Sequence, residues 1–279
     1  MLLQNVCRVC GENVTRLLEL TGARSKSKIS LYTCKSCRSF FTYPQEYDYH
    51  QTDLNVIDYY LSHQEYIEWR HNKIFSFVES VFKVKSNNFL GIGSGLGLSL
   101  SITNARSWNA LGVEVSHTLV NYSREHLNLN VIEGFFSPAV QENIKLNNQS
   151  KFDFILIDNI LEHISEPIKF IRDTLSLLSG DGVLLVIIPP VDWLRIFLTG
   201  FSRIRNHITS AQLNLFYDPE QHVSYFSRKA MRILTRNVGG CKLTSFRFHH
   251  SKLLNNWASS VMGFETGYYF IAKDSISTT

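Results

Sequence analysis

Phe89-Leu-Gly91-Ile-Gly93-Ser-Gly95-Leu-Gly97 decides how this chain folds. A short apolar start leads into a glycine-dense turn, and a helix-compatible run opens at Leu98, so the stretch reads as strand, tight turn and helix. Glycines permit such a turn, let backbone approach a ligand closely, and hand over to a helix N-terminus whose first N–H groups lack intrahelical partners. The spacing discriminates among ligands. A dinucleotide fingerprint needs Gly-x-Gly-x-x-Gly, but its third position falls on Leu98 counted from Gly93 and on Leu96 counted from Gly91. Gly-x-Gly-x-Gly suits a cofactor without a pyrophosphate, and taken alone it suits a structural turn equally well.

Downstream, short apolar runs alternate with helical segments, the pattern of a parallel sheet covered on both faces. Trp108-Asn-Ala-Leu-Gly-Val-Glu-Val115 reads as a second strand ending at Glu114, placed where a carboxylate can accept from both hydroxyls of a ribose. Phe152-Asp-Phe-Ile-Leu-Ile-Asp158-Asn159 is a third strand. It runs into Ile160-Leu161-Glu162-His163, then a helix opened by Pro167 and punctuated by Gly180-Asp-Gly182. Gly182 to Pro189 is a buried strand. Ligands of open α/β sheets bind at the C-terminal strand ends, so Gly93, Glu114 and Asp158 are expected in one crevice.

Upstream, residues 45–87 are aromatic-rich and helix-periodic, with Ile67, Ile74, Phe77, Val78, Val81 and Phe82 able to share a face, which predicts a helical connector. Residues 1–44 carry Cys7-x-x-Cys10 and Cys34-x-x-Cys37 around a basic loop, Arg24-Ser-Lys26-Ser-Lys28. Two such knuckles present four thiolates to one zinc ion and close its tetrahedral shell, which makes a structural zinc ribbon with no catalytic position. The turn residues Arg8-Val9 and Lys35-Ser36 bring donors that offset a doubly negative tetrathiolate. Cys241 is expected to be a small core residue.

The 279 residues suffice for one large core, or one core with a small satellite, and their apolar and charged fractions are those of an ordinary globular protein. No window approaches a membrane span, the start lacks a signal-like pattern, and paired Cys-x-x-Cys motifs suit a reducing compartment, so the expected location is the cytoplasm. A net charge of +4 falls short of the concentrated basic stripe of a nucleic-acid binder.

From Phe89 to Lys273 the chain resembles the class I S-adenosylmethionine-dependent methyltransferases, above all in Asp158-Asn159-Ile-Leu-Glu162-His163 and His222-Val-Ser-Tyr225-Phe-Ser227. With the knuckles in front it is similar to bacterial zinc-ribbon methyltransferases, some of which methylate nucleotide sugars at carbon. The resemblance implies an α/β, Rossmann-like fold with a seven-stranded sheet. Its last strand is antiparallel, and Cys241–Phe248 and Gly267–Ala272 form the closing hairpin. It also implies S-adenosylmethionine as cofactor, held by Gly91, Gly93, Gly95, Gly97, Glu114, Asp158 and Asn159. One departure stands out: the family usually places an acidic residue two positions before Gly93, where this chain has Gly91. The histidine matching His222 is implicated in proton transfer, with Tyr217 and Tyr225 as nearby hydroxyls and His163 as a further candidate. Two alternatives stay open, that His222 only orders the helix near Ser227 and that Glu162-His163 only stabilises a helix start.

The main domain is thus expected over 88–279, with an insertion at 190–219 whose bulky residues and Arg195, Arg203 and Arg205 cover the acceptor side or form an amphipathic helix with a basic face. Tyr59-Tyr60 line that side or belong to the core. The function expected is methyl transfer to a small polar acceptor, a sugar or nucleotide sugar. An RNA or protein methyltransferase and a non-catalytic binding protein are the alternatives.

Overall fold

The computed structural model describes residues 6–22, 25–43, 55–82, 87–146, 151–189, 191, 219–246 and 267–273. The chain forms two compact units, one from residues 1–47, 159–172 and 186–269, the other from residues 48–158, 173–185 and 270–279. The sequence-based partition at 44 and 87 and these units therefore cut the chain differently. The cysteine-bearing segment shares its unit with residues far downstream.

Between and beside its two knuckles that segment folds as a small sheet. Strand β1 (Thr15–Thr21) pairs antiparallel with β2 (Lys28–Thr33), which pairs with β3 (Phe40–Tyr43). Alternation explains it: Ile29 and Leu31 of Lys28-Ile-Ser-Leu-Tyr-Thr33 are buried every second residue, the period of a half-buried strand. Of the expected basic loop, Lys28 opens β2 and Arg24 lies outside the described residues.

In the second unit, α1 (Asn55–Ser62) and α2 (Gln64–Phe82) form the helical segment. The buried stripe of α2 is His71, Ile74, Phe75, Val78 and Phe82. It is rotated from the expected face, because Phe75 stands edge-on to Phe89 and Phe154 with ring centroids 5.2 and 5.4 Å away, while Phe77 turns to Phe82 and Phe270. The alternating layers follow: β4 (Asn88–Ile92), α3 (Leu98–Ala105), β5 (Asn109–Glu114), α4 (His117–Glu125), β6 (Val131–Glu133), α5 (Pro138–Leu146) and β7 (Phe152–Asp158). Strand β4 lies between β5 and β7, parallel to both, and β5 is parallel to β6. Gly91 and Gly112 face each other across β4 and β5. A side chain at Gly112 would come 2.7 Å from Leu100 Cδ1 and Ser94 Oγ, so glycine there lets α3 close onto the sheet.

Beyond β7 come a 3-10 turn (Leu161–His163), α6 (Pro167–Ser176) and β8 (Leu178–Ile188). Gly180-Asp-Gly182 lies inside β8, which corrects the expectation that it separates helix from strand. Gly182 belongs there because an added Cβ would come 2.8 Å from the Phe152 carbonyl oxygen. The remaining described elements are β9 (Ser224–Tyr225), α7 (Arg228–Val238), β10 (Cys241–Phe246) and β11 (Gly267–Lys273). The mixed seven-stranded sheet runs β10-β11-β8-β7-β4-β5-β6, and β9 joins the smaller sheet as β1-β2-β3-β9. Cys241 is half-buried at the start of β10, not a core residue. Among the described residues no helix is long and apolar enough to cross a membrane.

Candidate active site

The glycine turn is built largely by the end of β5. The Val113 carbonyl accepts from both Gly93 and Ser94 N–H (2.8 and 3.0 Å), and Glu114 Oε2 accepts from Gly95 N–H at 2.8 Å. Oε1 of the same carboxylate accepts from Val115 and Ser116 N–H at 2.8 and 2.9 Å. Gly93, Gly95 and Gly97 all take left-handed backbone, with φ of 69°, 56° and 84°, a region where side chains are strained. A carboxylate offers about four acceptor directions, so with three taken about one remains for a ribose hydroxyl, rather than the two expected from the sequence.

Tyr60 sits over this turn. A Cβ placed on Gly95 would lie 2.5 Å from its hydroxyl oxygen. Burial, followed by the charges of Glu114 and Asp158, pushes the phenol above its ordinary range, so it stays a neutral hydroxyl. Tyr60 thus belongs with the glycine turn, and Tyr59 is exposed; the sequence offered both for the acceptor side or the core.

Asp158 closes β7 with an ion pair to Arg70, and His71 Nε2 lies 3.3 Å from the same oxygen. Burial raises the Asp158 pKa, but the Arg70 guanidinium and His71 outweigh it and hold the carboxyl below its usual range. Asp158 therefore anchors α2, a role its sequence position did not disclose. Its neighbour Asn159 takes left-handed backbone (φ 54°) and donates its N–H to the Ile187 carbonyl. At Gly91, an added Cβ would meet Leu100, Phe89 and Ser94 at 3.5–3.6 Å, ordinary contact distances. Glycine at the place of the family's usual acid is thus not enforced by crowding.

The four cysteines converge. Cys7, Cys10, Cys34 and Cys37 Sγ atoms all lie within 4.8 Å of one another, with Cys7 and Cys37 3.4 Å apart and Cys10 and Cys34 3.5 Å apart. The two knuckles are matched: Gly11 N–H donates to the Cys7 carbonyl and Val9 N–H to Cys7 Sγ, as Arg38 does to the Cys34 carbonyl and Cys37 to Cys34 Sγ. The hydrogen bond between Cys7 and Cys37 raises the Cys7 thiol and lowers that of Cys37, to about 5. The Arg8 guanidinium donates to the Val223 carbonyl and lies over the Phe41 ring.

Near this sheet, in the same unit, the acceptor-side candidates assemble. Strand β9 pairs with β3, Phe40 opposite Tyr225 and Phe41 opposite Ser224, and Thr42 Oγ1 donates to the His222 carbonyl at 2.8 Å. His222 and His163 stand edge to face with ring centroids 4.9 Å apart, and donor atoms of Glu162, His163 and His222 lie within 4.8 Å of one another. Glu162 is 1% exposed in the first turn of the 3-10 helix Leu161–His163, and α6 starts only at Pro167. His222 does not cap α7: Ser227 Oγ accepts from Ala230 N–H at 3.0 Å. Tyr225 lies 5.8 Å from the His222 ring, centroid to centroid, but is buried with Leu20, Leu31, Phe40 and Val191, which makes it a core residue of the small sheet as well. Tyr217 and the insertion at 190–219, apart from Val191 and Pro219, lie outside the described residues.

Residues 66–240 match the family model described as Methyltransferase domain, and the chain belongs to that family. Among curated proteins it is similar to the ubiquinone biosynthesis O-methyltransferases of Caulobacter sp. (strain K31), 30% identical over 35% of this chain and 38% of that protein, and of Pelagibacter ubique (strain HTCC1062), 26% identical over 43% and 50%. The chain thus spans half or less of the length of these relatives. Among solved structures, the plantazolicin methyltransferase BamL in complex with a desmethylated plantazolicin analogue and SAH covers 78% of this chain and 90% of its own, with a TM-score of 0.55 at 15% identity. A SAM-dependent methyltransferase from Archaeoglobus fulgidus covers 77% and 99%, with a TM-score of 0.50 at 14% identity. At such identities the likeness is one of fold.

Proposed function

We propose that this protein transfers the methyl group of S-adenosylmethionine to a small polar acceptor, a sugar or nucleotide sugar in a reducing, cytoplasmic setting. The observation that carries this reading is the Glu114 carboxylate, tied to the glycine turn at the C-terminal end of β5 with about one acceptor direction left over. Gly93, Gly95 and Gly97 shape the turn around the cofactor, Tyr60 covers it with a neutral phenol, and Asp158 and Asn159 belong to the same side by family position. When bound, the sulfonium supplies an activated methyl group, so the chain need only align the acceptor and remove its proton. His222 is the proposed proton acceptor, with His163 beside it. As the acceptor oxygen bonds to the methyl carbon, the carbon–sulfur bond breaks with its electron pair going to sulfur, and the imidazole takes the hydroxyl proton. The names of the curated relatives favour oxygen over carbon as the atom methylated.

Zinc is the proposed ion of the four cysteines, since ligands on a tetrahedral site with bonds of about 2.3 Å stand about 3.8 Å apart, close to the spacing of these sulfurs. Against an RNA or protein acceptor docked by the ribbon, Lys28 is answered by Glu19 at 3.6 Å, and Glu220 accepts from Ser25 N–H, so the turn after Gly22 is not a clean basic surface.

The test is incubation of the protein and labelled S-adenosylmethionine with cell extract, followed by mass spectrometry. Label in a sugar-containing small molecule is expected. Label confined to RNA or protein would overturn the acceptor class, and failure to bind the cofactor would make this a non-catalytic member of the family. His222→Ala should lower turnover about a hundredfold or more while cofactor affinity stays near normal.

A further inference from the structure

We propose that Glu162, His163 and His222 hold a second metal ion, a first-row divalent cation whose remaining positions take oxygen atoms of the acceptor. Three observations on the molecule meet here. One carboxylate oxygen and two imidazole nitrogens, each from a different side chain, lie within 4.8 Å of one another. His163 Nδ1 lies 3.0 Å from the Gln221 carbonyl oxygen, so it carries the proton and donates, which leaves Nε2 as the lone-pair nitrogen. Metal-bound histidines are oriented in this way, by a hydrogen bond from the other ring nitrogen to a carbonyl or carboxylate. Glu162 is 1% exposed, so its donor oxygen lies away from bulk water, where a carboxylate and a cation interact more strongly than at the surface.

Backbone fixes the three donors before any ion arrives. Val223 N–H donates to the Glu162 carbonyl at 2.9 Å, and Thr42 Oγ1 holds the His222 carbonyl, so the turn carrying Glu162 and His163 is joined to the segment carrying His222. Ligand atoms sharing one ion at bond lengths of about 2.1 Å stand roughly 3–3.5 Å apart. Closing from the present spacing is a shift within reach of imidazole and carboxylate rotation. Two imidazoles and one carboxylate form a nitrogen and oxygen set suited to Mn2+, Fe2+, Co2+ or Zn2+ and unlike the all-sulfur cluster of the four cysteines.

Three protein ligands leave positions for a bidentate oxygen ligand, a vicinal diol or a hydroxy-carbonyl, both of which sugars carry. An ion there acidifies a hydroxyl that it binds. This role rests on the methyl-transfer reading, and it changes the part of His222 from proton acceptor to ligand. Since loss of His222 lowers turnover in either case, metal content and not turnover is the deciding measurement.

The experiment adds Mn2+ to full-length protein whose cysteine cluster is already zinc-loaded, because Mn2+ has little affinity for thiolates. Electron paramagnetic resonance should count one bound Mn2+ per chain, with electron spin-echo modulation from two imidazole nitrogens in the unsubstituted protein. Glu162→Gln, His163→Gln and His222→Gln should each weaken Mn2+ binding tenfold or more while the zinc content and the thermal unfolding transition stay as in the unsubstituted protein, which shows that the variant is folded. Absence of bound Mn2+ in the unsubstituted protein, bound Mn2+ without nitrogen modulation, or undiminished binding in folded His163→Gln and His222→Gln would overturn the inference. Mn2+ bound with no acceptor ever methylated would leave the metal site standing and sink the proposed function; methylation by protein that binds no second ion would do the reverse.

Discussion

The glycine turn and the Glu162–His163–His222 cluster are made by opposite means. The turn is a backbone object: its shape comes from three left-handed glycines, and the hydrogen bonds of its Gly93, Ser94 and Gly95 N–H groups run to the Val113 carbonyl and Glu114, near neighbours along the chain. The histidine cluster is a side-chain object assembled from a 3-10 turn and from His222, two residues before β9, and its placement depends on β9 lying against β3. A site of the first kind is sensitive to any added side chain and largely independent of what packs elsewhere. A site of the second kind fails when its supports fail.

Metal removal should break that contrast most sharply. A structural zinc in a small knuckle is worth about 10–16 kcal/mol of apparent binding free energy, which is folding free energy. Chelation, or Cys34→Ser with Cys37→Ser, is therefore expected to disorder the small sheet and abolish turnover. Affinity for S-adenosylhomocysteine, held by the backbone-made site, should fall by less than tenfold in calorimetry. Elemental analysis of intact protein should give at least one zinc per chain.

Next in size is the Asp158–Arg70 pair. Arg70→Ala leaves a largely buried carboxylate without its guanidinium, and loss of about 3–5 kcal/mol is expected in denaturant unfolding. The sign with pH follows from the direction of the shift. The folded pKa is below the unfolded one, so the stabilisation is present above about pH 4 and is lost as pH falls through the folded value. In Arg70→Ala this acid-side loss should flatten.

Two glycines sharpen the backbone half of the comparison. Gly97→Ala puts a methyl onto Leu129 Cδ1 at a φ of +84° and should cost about 2–3 kcal/mol. Gly91→Ala, with ordinary contacts and no positive φ, should change stability by about 0.5 kcal/mol or less. Glu114→Gln removes the charge and, because both carboxylate oxygens accept backbone N–H groups, also sets an amide donor against one of them, a loss of about 1–3 kcal/mol. It should weaken S-adenosylmethionine and S-adenosylhomocysteine equally, by roughly tenfold each, an amount typical of one charge-assisted hydrogen bond. Unequal losses would mean that Glu114 senses the methyl group or the sulfonium rather than the part common to both ligands.

The same contrast governs what could be read from sequence. Strands β5 and β7 lie where apolar runs placed them, to within about a residue at either end, and the glycine spacing located the turn, because all of these depend on near neighbours along the chain. The four-cysteine cluster was legible too, since thiol chemistry names its own partners. Strand β8 was misjudged at its start because Gly180 and Gly182 look like breakers until the Phe152 backbone that needs their emptiness is in place. His163 and His222 were each singled out, but nothing in local spacing could join residues so far apart, nor assign Tyr225 to the small sheet. Arg70 and Tyr60 were missed as partners of Asp158 and the glycine turn, since a helix stripe reports which residues turn inward and not what they meet.

The Ser227 hydroxyl accepts from the first turn of α7 and donates to the Cys37 carbonyl, a partner 190 residues earlier. During synthesis the metal-bearing knuckle therefore leaves the ribosome long before the strand that completes its sheet. Until then β3 presents bare N–H and C=O groups along one edge, the kind of surface onto which other chains add strands. Such distant pairing is slow to form, so the waiting interval falls on the most aggregation-prone edge of the molecule. With zinc held by the four cysteines as proposed, its supply during translation would set how much protein escapes that hazard.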